Sequence, residues 1–427
     1  IEVVGVLDML GVDKGMKTAL FQTLSGLLSL GSVRFQENAN GDSTVMGLDE
    51  LKRASALLQT NIALLQQALC SRTMKVKGTE MQIPLKTEES KSSRDALGKA
   101  VYSKLFGWVV QQVNGSLLDS KVTPADHNFL GILDIYGFEN FEKNSLEQLF
   151  INFTNEQLHQ HFAISLFKTE QEIYAAEGIV WPGVEWEDNS ECIEVIAGKA
   201  PSSIFNSLTE HSRLPNSTDV KMTEGLLSAH RKSKVIAAPK LTSGTGRTKG
   251  NRLTQKEAFV LQHFAGEVCY RTEGWLSKNT DSLHEDLSLC MSSSNSLLLQ
   301  QLFQQGSLVN AIGGGRSGGS RRQGFVADKY ARQLEILMLT LRSTHSHFVR
   351  CIKPNHEQQP NRFVDALVLE QLRNSGMVDA VRLLSQGYST RVPFETLEAQ
   401  FKPLCPAKFQ KLPAPLFCVA LLTAFDL

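Results

Sequence analysis

Apolar residues recur at helical spacing through much of this chain. Leu20, Leu24, Leu27 and Leu28 form one face of a segment that Gly31 closes, and residues 3–69 read as mostly helical. Leu97, Val101, Leu105, Val109 and Val113 recur every fourth residue until Asn114-Gly115, with Ser92 or Ser93 as the expected cap. Such a stripe is a core face. A short apolar run at 130–135 predicts a buried strand, and alternation at 347–352 predicts another that ends at Pro354. Residues 193–303 read as helical with two polar, basic interruptions.

The longest predicted element starts at Asn144, where Glu147 completes a capping-box-like pattern, and stops at Gly178. A helix of about 32 residues would span about 48 Å at 1.5 Å per residue. A rod of that length can carry a small displacement at one end to a distant partner. Residues 306–324 are rich in Gly, Ser and Arg, cannot bury apolar surface, and are expected to be disordered. Tyr330, Leu334, Leu337, Met338 and Leu341 predict a further helix, and two short helices are expected on either side of Gly376.

At 427 residues the chain can form more than one domain around a large core. Its 44 Lys and Arg balance 44 Asp and Glu, so no global field favours nucleic acid or a membrane surface. An electrostatic partner must be met by a local patch. Seven cysteines without C-x-x-C pairs read as reduced thiols of a cytoplasmic protein. No run approaches the roughly 18 apolar residues of a transmembrane segment.

Chemistry enters at the end of the 130–135 run. Asp134-x-x-Gly137 places a carboxylate at a strand tip, where it can hold a Mg²⁺ shell, and leaves the Gly137 N–H able to approach a γ-phosphate. The longer string from Leu133 through Glu139 and on to Glu156 resembles switch II and the relay helix of the myosin motor domain. Other strings extend the resemblance in the same order: Arg94 to Ala100, His263 to Val268, Gly274 to Asn279, His347 to Asn355 and Gln371 to Gly376. Together they cover essentially the whole chain.

The resemblance implies an α/β fold, with mostly helical subdomains around part of the twisted central sheet of a P-loop-NTPase-type myosin motor. It implies an upper 50 kDa-like part at 1–129, and switch II, relay and lower 50 kDa-like actin-binding parts at 130–304. A basic loop 2 follows at 305–324, then a transducer strand with paired short helices at 325–388 and a converter start at 389–427. ATP and Mg²⁺ are the implied ligands. Asp134 would reach the metal through water, Gly137 would bond the γ-phosphate, and Glu139 would pair with a switch I arginine. Phe138 is expected to pack. Actin filaments are the implied partner, with Thr79, Lys232, Lys234, Arg316, Arg321 and Arg322 as candidate contacts; Arg231 adjoins this set. Asn155, Gly376 and Gly387 are the implied mechanical positions. Light chains or calmodulin would bind a neck beyond this chain, and the implied location is the cytoplasmic actin cytoskeleton.

The chain also departs from the pattern. Neither G-x-x-x-x-G-K-[ST] nor a switch I of the Asn-x-x-Ser-Ser-Arg-Phe type is present, since Ser93 and Ile193 stand five residues before the Gly98-Lys99 and Gly198-Lys199 steps. The expectation is therefore a motor domain cut at both ends that does not hydrolyse ATP alone. The competing reading is a non-catalytic actin-binding or scaffold protein that has lost its nucleotide site.

Overall fold

Thr87 to Leu117 form one uninterrupted helix, and it starts five residues before the serines expected to cap it. The reason is Glu89, whose Oε2 accepts the Lys86 N–H at 2.8 Å and so satisfies a free donor at the helix entrance. Ser90 and Ser93 instead lie on its buried face with Leu97, Val101 and Leu105. The computed structural model describes residues 2–76, 79–117, 128–180, 188–199, 203–239, 256–280, 283–304, 325–385, 388 and 390–425. Arg316, Arg321, Arg322 and Gly387 lie outside the described residues.

Before that helix, which is α5, come α1 (Glu2–Met9), α2 (Lys14–Gly31), α3 (Asp49–Leu57) and α4 (Ile62–Cys70). They are joined by two antiparallel hairpins, β1 (Arg34–Glu37) with β2 (Ser43–Met46) and β3 (Ser71–Val76) with β4 (Thr79–Pro84). Leu20, Leu30, Leu51, Leu58, Leu65, Leu97 and Val101 make their shared core. Leu28, assigned to the apolar face by its spacing, is 78% exposed, and Leu30 is buried in its place.

After α5 the order is α6 (Leu146–Ala176), α7 (Ser190–Ala197), α8 (Ile204–Arg213), α9 (Asp219–Ala229), β5 (Ile236–Ala237), β6 (Ala258–His263) and β7 (Gly266–Arg271). Then come α10 (Trp275–Asn279), α11 (Glu285–Ser292), α12 (Leu297–Gln304) and α13 (Val326–Arg342). The three strands form an antiparallel sheet inside the stretch expected to be helical. β6 and β7 pair from Ala258↔Arg271 to His263↔Gly266, so the motif that opens at His263 is a hairpin turn. A second core joins Leu149 and Phe153 of α6 to Ile196, Phe205, Phe259, Tyr270, Trp275 and Met338. Leu287, Met291, Leu298 and Leu299 of α11 and α12 pack into the first core, although the sequence grouped residues 130–304 together. Asp286 pins this arrangement by accepting the Thr73 N–H at 2.6 Å.

The two expected strands are not formed. Residues 130–135 form no strand and have no strand partner among the described residues, and Leu130 and Ile132 are 92% and 91% exposed. Residues 347–352 likewise form no strand and pair with none among the described residues. An apolar run becomes a buried strand only when neighbouring strands take up its N–H and C=O groups. The sheets described are three small antiparallel ones, which fits an α/β class with segregated strands.

The chain ends with α14 (Asp365–Asn374), α15 (Met377–Ser385), α16 (Phe394–Phe401), a 3-10 turn (Lys402–Leu404) and α17 (Ala414–Ala424). Among the described residues no helix is long and apolar enough to cross a membrane.

Candidate functional site

The long helix α6 forms as its sequence suggests, with a different start. Its 31 residues span about 46 Å at 1.5 Å per residue. Ser145 is the cap, and its N–H donates to Gln148 Oε1 at 2.9 Å. Asn144 and Glu147, the expected pair, have other duties. Asn144 is buried and ties the preceding loop to the sheet: Oδ1 accepts the Phe141 N–H at 2.8 Å and Nδ2 donates to Cys269 O at 3.2 Å. Glu147 pairs with Lys278 at 2.8 Å. Burial alone would raise the Glu147 carboxyl, but the Lys278 hydrogen bond and charge outweigh it and hold it below the usual range. Gly178 ends the helix with φ +65°, as the sequence suggests.

The first half of α6 holds the 134–140 loop by its backbone. Asn155 Nδ2 donates to Tyr136 O at 3.0 Å. Asn152 does more, because its Oδ1 accepts the Glu139 N–H and its Nδ2 donates to Glu139 O, both at 2.8 Å. Gln148 Nε2 reaches Glu139 Oε2 at 3.3 Å. Phe138 packs edge-on against His263 and Phe264, with ring centroids 5.2 and 5.6 Å away. Asp134 and Gly137 remain exposed, and a Cβ built on Gly137 meets no atom within 4 Å. The loop thus presents a carboxylate and an open glycine outward, while its other face is anchored to the helix.

Behind the loop lies a buried polar chain. Asn152 Nδ2 donates to Tyr270 Oη at 2.7 Å, and Tyr270 Oη lies 2.9 Å from His263 Nε2. His263 Nδ1 is 2.7 Å from Glu156 Oε2, and Glu156 Oε1 accepts Asn189 Nδ2 at 2.8 Å. Cys192 Sγ sits 3.7 Å from His263 Nδ1. Glu156, Cys192 and His263 bring three ligand-type atoms within 4.8 Å of one another, a set of the zinc-binding kind. Burial, then Glu156, pushes the Cys192 thiol far above its ordinary value, so it keeps its proton and serves as a donor.

The far end of α6 grips a different segment. Tyr174 Oη accepts the Tyr388 N–H at 2.6 Å. Glu170, nearly buried, forms a two-point ion pair with Arg391, whose Nη1 is 3.2 Å from Oε1. Between these ends Gly376, at φ +72°, lies against His159 of α6, and His159 stacks on Phe264 with centroids 4.1 Å apart.

Of the residues singled out by sequence, the structure gathers Asp134, Gly137, Glu139, Asn155 and Gly376 along α6. Thr79 is exposed at the head of β4, away from this group. Lys232 and Lys234 are exposed on the turn between α9 and β5, on either side of Ser233, whose Oγ donates to Glu191 Oε1 at 2.9 Å. Sequence reasoning passed over Asn152, Glu156, Asn189, Cys192 and Tyr270. The signal was present, since Asn152 and Glu156 interrupt the buried stripe Leu149, Phe153 at core-facing positions.

The chain belongs to the myosin head (motor domain) family, whose model matches residues 2–425. It is 35% identical to myosin heavy chain 95F of Drosophila melanogaster and 34% identical to unconventional myosin-VI of Homo sapiens, in both cases over 99% of this chain. Those matches cover 33% and 32% of the relatives. Myosin-1 of Arabidopsis thaliana is 37% identical over 92% of this chain and 33% of its own length. The chain therefore spans about a third of the length of these curated relatives.

Proposed function

We propose that this chain couples nucleotide state to movement on actin filaments, with residues 134–139 as the phosphate sensor and α6 as the transmitting rod. One observation carries the reading: side chains near one end of α6 hold the Tyr136 and Glu139 backbone, and side chains near the other hold Tyr388 and Arg391. From Asn152 to Glu170 the rise is about 27 Å, so a small shift at the loop becomes a displacement of the segment that leads into α16.

Gly137 and Asp134 fit the ligands this reading needs. Open space around Gly137 admits a phosphate oxygen to its N–H, and the exposed Asp134 carboxylate suits a hydrated Mg²⁺. Bound MgATP supplies the phosphoryl group that is transferred to water. In this reading Glu139 is the anionic partner of a switch I arginine.

Actin is the proposed partner. Lys232 and Lys234, with Arg231 beside them, form an exposed basic turn held by the Ser233 anchor, and Arg316, Arg321 and Arg322 add sequence-local positive charge. Such charges raise the association rate with an acidic filament and are screened beyond about 8 Å at physiological salt. The test is steady-state phosphate release by the full-length protein, with and without actin filaments. Filaments should stimulate the rate, and Lys232→Glu with Lys234→Glu should weaken that stimulation more at low salt than at high. Absence of stimulation contradicts the motor reading, and equal losses at both salts contradict the steering role of the turn.

A further inference from the structure

The polar chain inside the second core has a direction, and the direction is set at a peptide group. The Glu139 N–H needs an acceptor and its C=O needs a donor, so the Asn152 amide can face them in one orientation only. Its second Nδ2 hydrogen then goes to Tyr270 Oη at 2.7 Å. Having accepted there, Tyr270 sends its own hydrogen to His263 Nε2 at 2.9 Å. The imidazole proton is left on Nδ1, which donates to Glu156 Oε2 at 2.7 Å. Glu156 Oε1 takes Asn189 Nδ2 at 2.8 Å and the Phe264 N–H at 3.3 Å. Each of these hydrogens has an acceptor, with no ion needed among carboxylate, imidazole and thiol.

We propose that Asn152 is a positioning residue that reads the polarity of the Glu139 peptide and thereby sets the tautomer of buried His263. Four elements meet at this ring. Glu156 comes from α6, Cys192 from α7, Tyr270 from β7 and Phe138 from the 134–140 loop. Burial drives both the Tyr270 phenol and the Cys192 thiol far upward, so each remains a donor. When the Glu139 peptide leaves, nothing holds the Asn152 amide in that orientation. Turned over, it accepts from Tyr270; the imidazole hydrogen then moves from Nδ1 to Nε2, and the bare Nδ1 accepts from the Cys192 thiol 3.7 Å away. The position of a surface loop and the tautomer of a core histidine become two ends of one chain. This goes beyond the motor reading, because it holds for the chain whether or not the protein moves on actin.

The test is ¹⁵N-histidine NMR of the chain, with the His263 signals identified by their loss in His263→Gln. The parent should show Nδ1 protonated and Nε2 in the range of an unprotonated acceptor nitrogen. In Asn152→Asp both faces of the side chain accept, so Tyr270 must donate to it and the Nε2 signal should shift to the protonated range. In a Tyr270→Phe background the same substitution should shift nothing, because the link is gone. A protonated Nε2 in the parent overturns the proposal, and that reading needs no variant to fold. So does an unshifted Nε2 in folded Asn152→Asp.

Discussion

Gly376 lies so close to His159 that a Cβ built on it would stand 2.3 Å from Nδ1 and 2.6 Å from Cε1 of the imidazole. This contact seats the α14–α15 pair against the middle of α6. Gly376 also has φ +72°, where a side chain costs about 1–3 kcal/mol. Gly376→Ala is therefore expected to lower stability by at least that amount, measured as a urea midpoint. With His159→Ala present the clash is gone and only the backbone cost remains, so the loss should shrink. Equal losses in the two backgrounds would mean the contact is incidental.

The ion pair at the far end of α6 makes a separable prediction. Glu170→Gln removes the charge that Arg391 meets, while Asn152 and Asn155 keep their hold on the loop. Amide exchange should quicken across 390–401 and stay unchanged across 146–160. In the full-length protein ATP turnover should persist while filament gliding slows. Unchanged exchange at 390–401 would remove the proposed grip.

Two histidines give the stability a pH dependence. Burial, then Arg72, holds His284 below its ordinary value despite Asp286 and Glu89 acting the other way; burial, then Arg342, does the same to His161. With folded values below the unfolded value of about 6.5, the unfolded chain binds more protons between them. Stability should fall as pH drops from about 7 through that window and level off beneath the folded values. Urea midpoints measured across the window check this, and His284→Gln should flatten part of the slope. A slope untouched by both His284→Gln and His161→Gln would show that other groups set it.

Much of this architecture is legible in the sequence itself. The period of the α5 stripe, the stop at Gly178 and the Gly376 break between short helices follow from local chemistry that tertiary packing does not reverse. The start of α5 was misplaced because serines are good caps in isolation, whereas Glu89 closes the end here. Residues 130–135 and 347–352 carry strand patterns, yet pattern cannot supply the neighbours that a strand requires. The loop residues Asp134, Gly137 and Glu139 were found by motif. Tyr270 was not, because it lies 118 residues from Asn152 and only the fold brings them together.

Gly137 is the residue at which phosphate sensing is tested most directly. Its backbone is outside the left-handed region and a Cβ there meets nothing, so Gly137→Ala should leave this folded state undisturbed. The methyl group matters only when a γ-phosphate must approach the N–H. Transient kinetics of the full-length protein with a fluorescent nucleotide separate binding from the hydrolytic burst. Binding should stay close to the parent while the burst slows about a hundredfold, equivalent to ~2.7 kcal/mol. A normal burst in Gly137→Ala would contradict the claim that residues 134–139 sense phosphate and that α6 transmits what they sense.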